Sequence, residues 1–135
     1  MKKILVFGAG ALALDTFRYM RHKYNIVGFI SEDGSFEPRL HQAYFDRPQQ
    51  SSSIIWLHKS LDGALDSIGA DVDLILAVFD PTVKHRVFFS ADSELKLVSI
   101  IHTTCLVDEY SVINSGTILD AYSSVAHNTI LGRGT

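Results

Sequence analysis

The chain reads as an α/β protein in two parts. Residues 1–101 predict a small doubly wound parallel sheet, and residues 102–135 predict the first coils of a parallel β-helix. Three observations lead there. An apolar strand, Lys3 to Phe7, runs into Gly8-Ala9-Gly10 and then into an amphipathic stretch. Further apolar runs alternate with helical patterns up to Ile101. From Val107 onward an aliphatic residue returns every six positions, at Val107, Ile113, Leu119, Val125 and Leu131.

In the first part, the helix after the glycine turn spans roughly Ala11 to Lys23. Ala13, Phe17, Met20 and Tyr24 share one of its faces. Asn25 to Ser31 is the second strand and ends at the acidic pair Glu32-Asp33, which makes a right-handed βαβ unit. Gly34 to Ser53 is polar and contains Pro38 and Pro48, so it reads as a loop with at most one short helical turn. Ile54 to Leu57 reads as a short edge strand. Ser60 is an N-cap for a helix through Ile68, with Gly69 at its C-terminal end. Val72 to Phe79 is an apolar strand. Asp80-Pro81 starts a helix to about Glu94, with Val83, Val87, Ala91 and Leu95 four apart. Leu97 to Ile101 is expected to be the last strand of the sheet.

In the second part, each aliphatic residue is followed by a small or short polar one (Asp108, Asn114, Asp120, Ala126, Gly132). Four places on stands a Ser or Thr (Ser111, Thr117, Ser123, Thr129, Thr135). Each hexad supplies one short strand and one corner, and three hexads close an eighteen-residue coil that stacks on the next. The small hydroxyl residue is expected to fit beside the inward aliphatic without bulging the coil. The repeat stops inside a hexad at Thr135. That reads as a boundary within a longer protein, the alternative being a natural edge or capping element.

Composition narrows the function classes. At 47% hydrophobic the chain has material for a core, and a formal charge of -3 without a basic block argues against nucleic acid as a partner. No apolar run approaches the length of a membrane span. The start, Met1-Lys2-Lys3 followed by apolar residues, imitates a secretory signal. Its two glycines and Asp15 fit strand, turn and helix better. The lone Cys105 fits a reducing compartment, reads as a buried inert thiol, and supports a cytoplasmic location.

Two constellations carry chemistry. Gly8-x-Gly10, with Ala13 in the third slot, lets backbone N–H groups at Ala9, Gly10 and Ala11 approach a phosphate at a helix N-terminus. Glu32 and Asp33, about twenty residues on, are placed to accept hydrogen bonds from a ribose or base. The structural alternative is a plain strand–helix turn with two solvated acids. His127 falls at a corner of the coil, where a side chain points outward and an imidazole can take a proton at neutral pH. The alternative is a solvated surface histidine. His102 reads as structural. His22, His41, His58 and His85 show no metal-ligand spacing, so no metal is expected.

A Gly-x-Gly α/β domain joined through Ile101-His102-Thr103-Thr104 to hexapeptides resembles the bacterial sugar O/N-acyltransferases. That group includes sialic acid O-acetyltransferases and the nucleotide-amino-sugar acetyltransferases of pilin and protein glycosylation. The resemblance covers essentially the whole chain. It implies a Rossmann-like first domain that binds a nucleotide-sugar (UDP-linked in the family) near Gly8, Ala9, Gly10, Ala11, Glu32 and Asp33. It implies a left-handed β-helix that forms a homotrimer, with acetyl-CoA as cosubstrate between neighbouring helices. The stretch Ser123 to Gly132 is similar to the family's catalytic segment, which carries the general-base role onto His127. The chain departs from the family in four places, one being Phe79-Asp80 where the family has Gly-Asn after the third strand. Ala11-Leu12-Ala13 replaces Gly-His-Gly. Asn128 stands where an acid often follows the histidine. Asp120 replaces an Asn seven residues before it and offers the imidazole a hydrogen bond instead. The resulting expectation is an acetyltransferase acting on a nucleotide-linked amino sugar or a sialic-acid-type sugar, with the 135-residue chain inert by itself. The alternative is a non-catalytic nucleotide- or dinucleotide-binding module with a β-helical tail.

Overall fold

A computed structural model describes residues 1–46, 56–90 and 95–135. The chain divides into two compact units, Met1–Lys96 and Leu97–Thr135. Among the described residues no helix is long and apolar enough to cross a membrane.

The first unit is built on a parallel four-stranded sheet. In chain order its elements are β1 (Lys3–Phe7), α1 (Ala11–Met20), β2 (Asn25–Ile30), α2 (Pro38–Phe45), β3 (Leu57–His58), α3 (Leu61–Ile68), β4 (Asp73–Leu76) and α4 (Pro81–Ser90). The strand order is β3-β2-β1-β4 and every pairing is parallel. The chain winds outward through β1, β2 and β3, then returns to place β4 on the other side of β1. The apolar runs are explained by burial. Ile4, Leu5, Val6, Ile26, Phe29, Leu74 and Ile75 are all fully buried, as expected for a parallel sheet covered on its faces. Phe17 of α1, Phe29 of β2 and Tyr44 of α2 meet edge-on or tilted, with ring centroids 5.6 to 6.0 Å apart.

Three expectations change. The region from Gly34 holds a helix, α2, because Pro38 begins it rather than breaking it. Proline's missing N–H costs nothing in the first turn, and Glu37 accepts the Arg39 N–H as a cap. Leu40 and Tyr44, four apart, give α2 its buried face. The helix α1 stops at Met20, where the Lys23 and Tyr24 N–H groups both turn back onto the Met20 carbonyl. Leu97 to Ile101 does not run on as one strand of the sheet: the Leu74 N–H of β4 donates to the Lys96 carbonyl, whereas Ile100 and Ile101 pair with Ile118 and Leu119 in the second unit. The first unit therefore ends at Lys96 rather than at residue 101. The expected edge strand is observed as Leu57–His58. Residues 54 and 55, the end of the polar loop through Ser53, and Ala91 to Glu94 lie outside the described residues.

The second unit is a stack of eighteen-residue coils. Its strands are β5 (Ile100–Ile101), β6 (Leu106–Val107), β7 (Val112–Ile113), β8 (Ile118–Leu119), β9 (Ser124–Val125) and β10 (Ile130–Leu131). They pair in parallel as β5–β8, β6–β9 and β7–β10, each residue opposite the one eighteen positions on. The second residue of each strand from β6 onward is the periodic aliphatic, and Leu119 and Val125 are buried. The turn between strands explains the rest of the hexad. Its second central residue is left-handed at Gly116, Tyr122, Asn128 and Gly134, with φ between 57° and 79°. The Ser/Thr position does more than fit. The hydroxyls of Ser111, Thr117 and Thr135 donate back across the turn to the carbonyl three residues earlier, at 2.6 to 2.7 Å.

Gly8 is the residue on which the β1–α1 turn depends. Its φ is +120°, and a Cβ there would stand 2.2 Å from the Ala77 carbonyl oxygen beside β4. Gly8→Ala is expected to lower the unfolding free energy by about 2–4 kcal/mol, through backbone strain and displaced strand packing. Gly10→Ala, which meets nothing within 4 Å, should stay within about 1 kcal/mol of wild type. Urea unfolding of the two variants checks the contrast.

Candidate functional site

The histidine corner lies within the second unit, between β9 and β10. Ala126, His127, Asn128 and Thr129 form a turn in which the Thr129 N–H donates to the Ala126 carbonyl at 3.3 Å. His127 is its first central residue and projects outward, with its side chain 61% exposed. Asn128 follows in the left-handed region at φ 57°, a conformation that a short polar side chain tolerates better than most.

The imidazole is oriented by the coil stacked against its own. Nδ1 lies 3.3 Å from Oδ1 of Asp108, and the ring meets Tyr110 edge-on at a centroid distance of 5.3 Å. An ionised carboxylate can only accept, so this contact calls for a proton on Nδ1, and in a neutral ring so arranged the lone pair falls on Nε2. Asp108 is itself held, because the same Oδ1 accepts the Tyr110 N–H at 2.9 Å. The sequence reading puts Asp120 beside the imidazole; the acid seen against Nδ1 is Asp108. Residues seven apart sit on neighbouring corners of a coil, whereas residues near eighteen apart stack. Asp120 occupies the preceding corner, where its Oδ1 accepts the Ala121 N–H. Sequence reasoning missed Asp108 and Tyr110, although stepping back one coil from His127 lands between them.

Beside this corner lies a hollow of about 290 Å³, open to solvent and lined by Leu106, Val107, Asp108, Ser124, Val125 and Ala126. At the corner between β5 and β6, His102 has a different part. Its Nδ1 accepts the Thr104 N–H, and the Thr104 hydroxyl accepts the Tyr122 N–H from the next coil, so this histidine closes a turn. Cys105 is half-buried rather than buried, and its thiol donates to the Asp120 carbonyl at 3.1 Å.

The second constellation lies at the carboxyl ends of the strands in the first unit. The Gly8 N–H donates to the Ile30 carbonyl, and the Ala9 carbonyl accepts the Glu37 N–H. Gly10 is the N-cap of α1, and no side chain caps that helix end. Gly10 and Ala11 are exposed, while Ala9 is buried. The two acids differ. The Asp33 Oδ1 accepts the Ser31 hydroxyl, the Ser35 N–H and the Ser35 hydroxyl, so it closes its own loop. The Ser35 hydroxyl, then the Ser35 N–H and the Ser31 hydroxyl, hold the Asp33 carboxyl below its ordinary range. Glu32 instead forms an ion pair with Arg86 of α4. Among the described residues no cluster of three or more His, Cys, Asp or Glu is arranged to hold a metal ion.

No protein-family model and no curated protein sequence matches the chain. Solved structures do. Perosamine N-acetyltransferase from Caulobacter crescentus, solved as histidine-to-asparagine and histidine-to-alanine variants in complex with CoA and GDP-perosamine, is similar at 15% identity with a TM-score of 0.73. That similarity covers 99% of this chain and 59% of that one. The acetyltransferase domain of PglB from Neisseria gonorrhoeae FA1090, in complex with acetyl coenzyme A, is similar at 20% identity with a TM-score of 0.69, over 98% of this chain and 60% of that one. The chain thus spans about three fifths of the length of these structures, and it shares its fold with the matched part of sugar acetyltransferases.

Two measurements test the local geometry. Nitrogen-15 NMR of the neutral imidazole should show His127 in the Nδ1–H tautomer, and Asp108→Ala should move the population toward Nε2–H. An unchanged tautomer would contradict the pairing. For Asp33 the pKa is depressed by folding, so its contribution is present above the ordinary aspartate range and is lost as pH falls through the lowered value. The protection factor of the Ser35 amide, its exchange relative to a free peptide at the same pH, should fall only on that acid side in wild type, and be low at all pH values in Asp33→Ala.

Proposed function

We propose that this chain carries the nucleotide-sugar domain and the catalytic histidine of an acetyl-CoA-dependent acyltransferase. Its acceptor is a nucleotide-linked amino sugar or a sialic-acid-type sugar. The observation that carries the reading is the outward corner imidazole of His127, its Nδ1 set 3.3 Å from the Asp108 carboxylate; on this reading Nε2 is the basic atom.

The parallel sheet is read as a Rossmann-like domain whose Gly8-Ala9-Gly10-Ala11 turn faces the diphosphate, with Glu32 and Asp33 at the rim. The stacked coils are read as the start of a left-handed β-helix. As the acceptor amine or hydroxyl attacks the thioester carbonyl of acetyl-CoA, Nε2 of His127 takes its proton. Asp108 then faces an imidazolium and stabilises it. The tetrahedral oxyanion collapses, the C–S bond breaks, and the CoA thiolate leaves to take up a proton. Positioning the two substrates supplies much of the remaining rate. Asn128 contributes by allowing the turn that aims the imidazole.

A homotrimer fits the exposed surface of the second unit. Val112 and Ile130 lie side by side on the β7–β10 face, 49% and 72% exposed, and Leu106 is 76% exposed on the β6–β9 face. The GDP-perosamine and CoA held by the perosamine N-acetyltransferase and the acetyl-CoA held by the PglB domain support the substrate classes. The soluble chemistry proposed and the single thiol are consistent with a cytoplasmic location.

In an acetyltransferase that contains this chain, His127→Ala is expected to lower acetyl transfer by roughly 10²–10⁴-fold, the usual contribution of a general base, while nucleotide-sugar binding stays as in wild type. Thiol release from acetyl-CoA, followed with a chromogenic disulfide, and calorimetric titration of the nucleotide sugar measure the two quantities. Unchanged turnover would remove His127 from the mechanism. The 135-residue chain alone is expected to bind the nucleotide sugar without releasing CoA.

A further inference from the structure

The ion pair between Glu32 and Arg86 has a topological peculiarity. Glu32 stands just beyond the carboxyl end of β2, and Arg86 lies on the helix that follows β4. In the sheet, β1 lies between β2 and β4. A contact between these two side chains therefore passes over the carboxyl end of β1, where the Gly8-Ala9-Gly10 turn begins. In an open parallel sheet this is the position where strand order reverses and where ligands enter. Both side chains are about half exposed, and Asp80, at the start of α4, is a second acid acting on Arg86. Arg86 is thus a cation paired with Glu32, at the end of the sheet where the glycine turn begins.

Resting on the reading of this unit as a nucleotide domain, we infer that the Glu32–Arg86 pair is a strap across the mouth of the site. A diphosphate-bearing ligand opens it by exchanging the Glu32 carboxylate for phosphate oxygens on the Arg86 guanidinium. The chemistry favours the exchange. A guanidinium binds carboxylate and phosphate through the same planar fork, and a solvent-exposed ion pair is weak enough to be replaced. Glu32 is then a competitor of the ligand for Arg86 rather than a hydrogen-bond acceptor for its ribose, and the two roles predict opposite signs on mutation.

The test is calorimetric titration of the 135-residue chain with GDP, UDP and inorganic diphosphate, for wild type, Glu32→Gln and Arg86→Gln. Thermal unfolding serves as the folding control. The strap predicts that Glu32→Gln binds all three ligands several-fold more tightly. Arg86→Gln should bind them at least roughly tenfold more weakly, the loss expected for a charge-assisted hydrogen bond. Weaker or unchanged binding by Glu32→Gln, or wild-type affinity in Arg86→Gln, overturns the strap while leaving the nucleotide domain standing. Failure of wild type to bind any of the three at millimolar concentration overturns both readings.

Discussion

Every described strand pairs in parallel, and that constraint organises both units. Two parallel strands cannot be joined by a tight turn; the chain has to travel back before it pairs again. In the first unit helices make the return. In the second unit the return is the coil itself, three short strands and three corners long. Because all strands of a sheet then point the same way, their ends collect at one edge and their corners stack in columns. Both candidate sites are products of that collection.

At the sheet edge, the carboxyl ends of β1 and β2 and the helix after β4 bring together the glycine turn, Glu32 and Arg86, which are far apart in sequence. The glycine turn is specified by packing as much as by ligand chemistry. Gly8 is excluded from carrying a side chain by the Ala77 carbonyl, whereas Gly10 faces open space. A Gly-x-Gly fingerprint thus contains one glycine that the fold requires and one that leaves room above a helix end. In the coil, stacking sets His127 against Asp108 and Tyr110, and these contacts orient the imidazole at an exposed corner where an unsupported side chain would rotate freely.

The hexad repeat was legible because every feature of it is local. An inward aliphatic, a left-handed turn residue and a hydroxyl that bonds back across the turn all lie within six positions, so each hexad announces itself. The sheet strands were legible for a similar reason, since burial on both faces leaves an unbroken apolar run. The helix Pro38–Phe45 was harder to read because proline is ambiguous from sequence alone: it breaks a helix from within and starts one from its first turn. Leu97 to Ile101 is harder to read because a short apolar run fits either a flat sheet or a coil, and only the pairing of Ile100–Ile101 with Ile118–Leu119 assigns its end to the coil.

The sequence by itself determined the period, the two-part organisation, the glycine turn and the outward position of His127, because spacing along the chain is enough to set them. Tertiary structure alone decided the partners. Asp108 meets the imidazole because eighteen residues close a coil, so the corner one coil back stacks against it. Arg86 meets Glu32 because strand order places the helix after β4 across β1. These contacts join residues 19 and 54 positions apart. At such separations only the path of the folded chain determines which charges become neighbours.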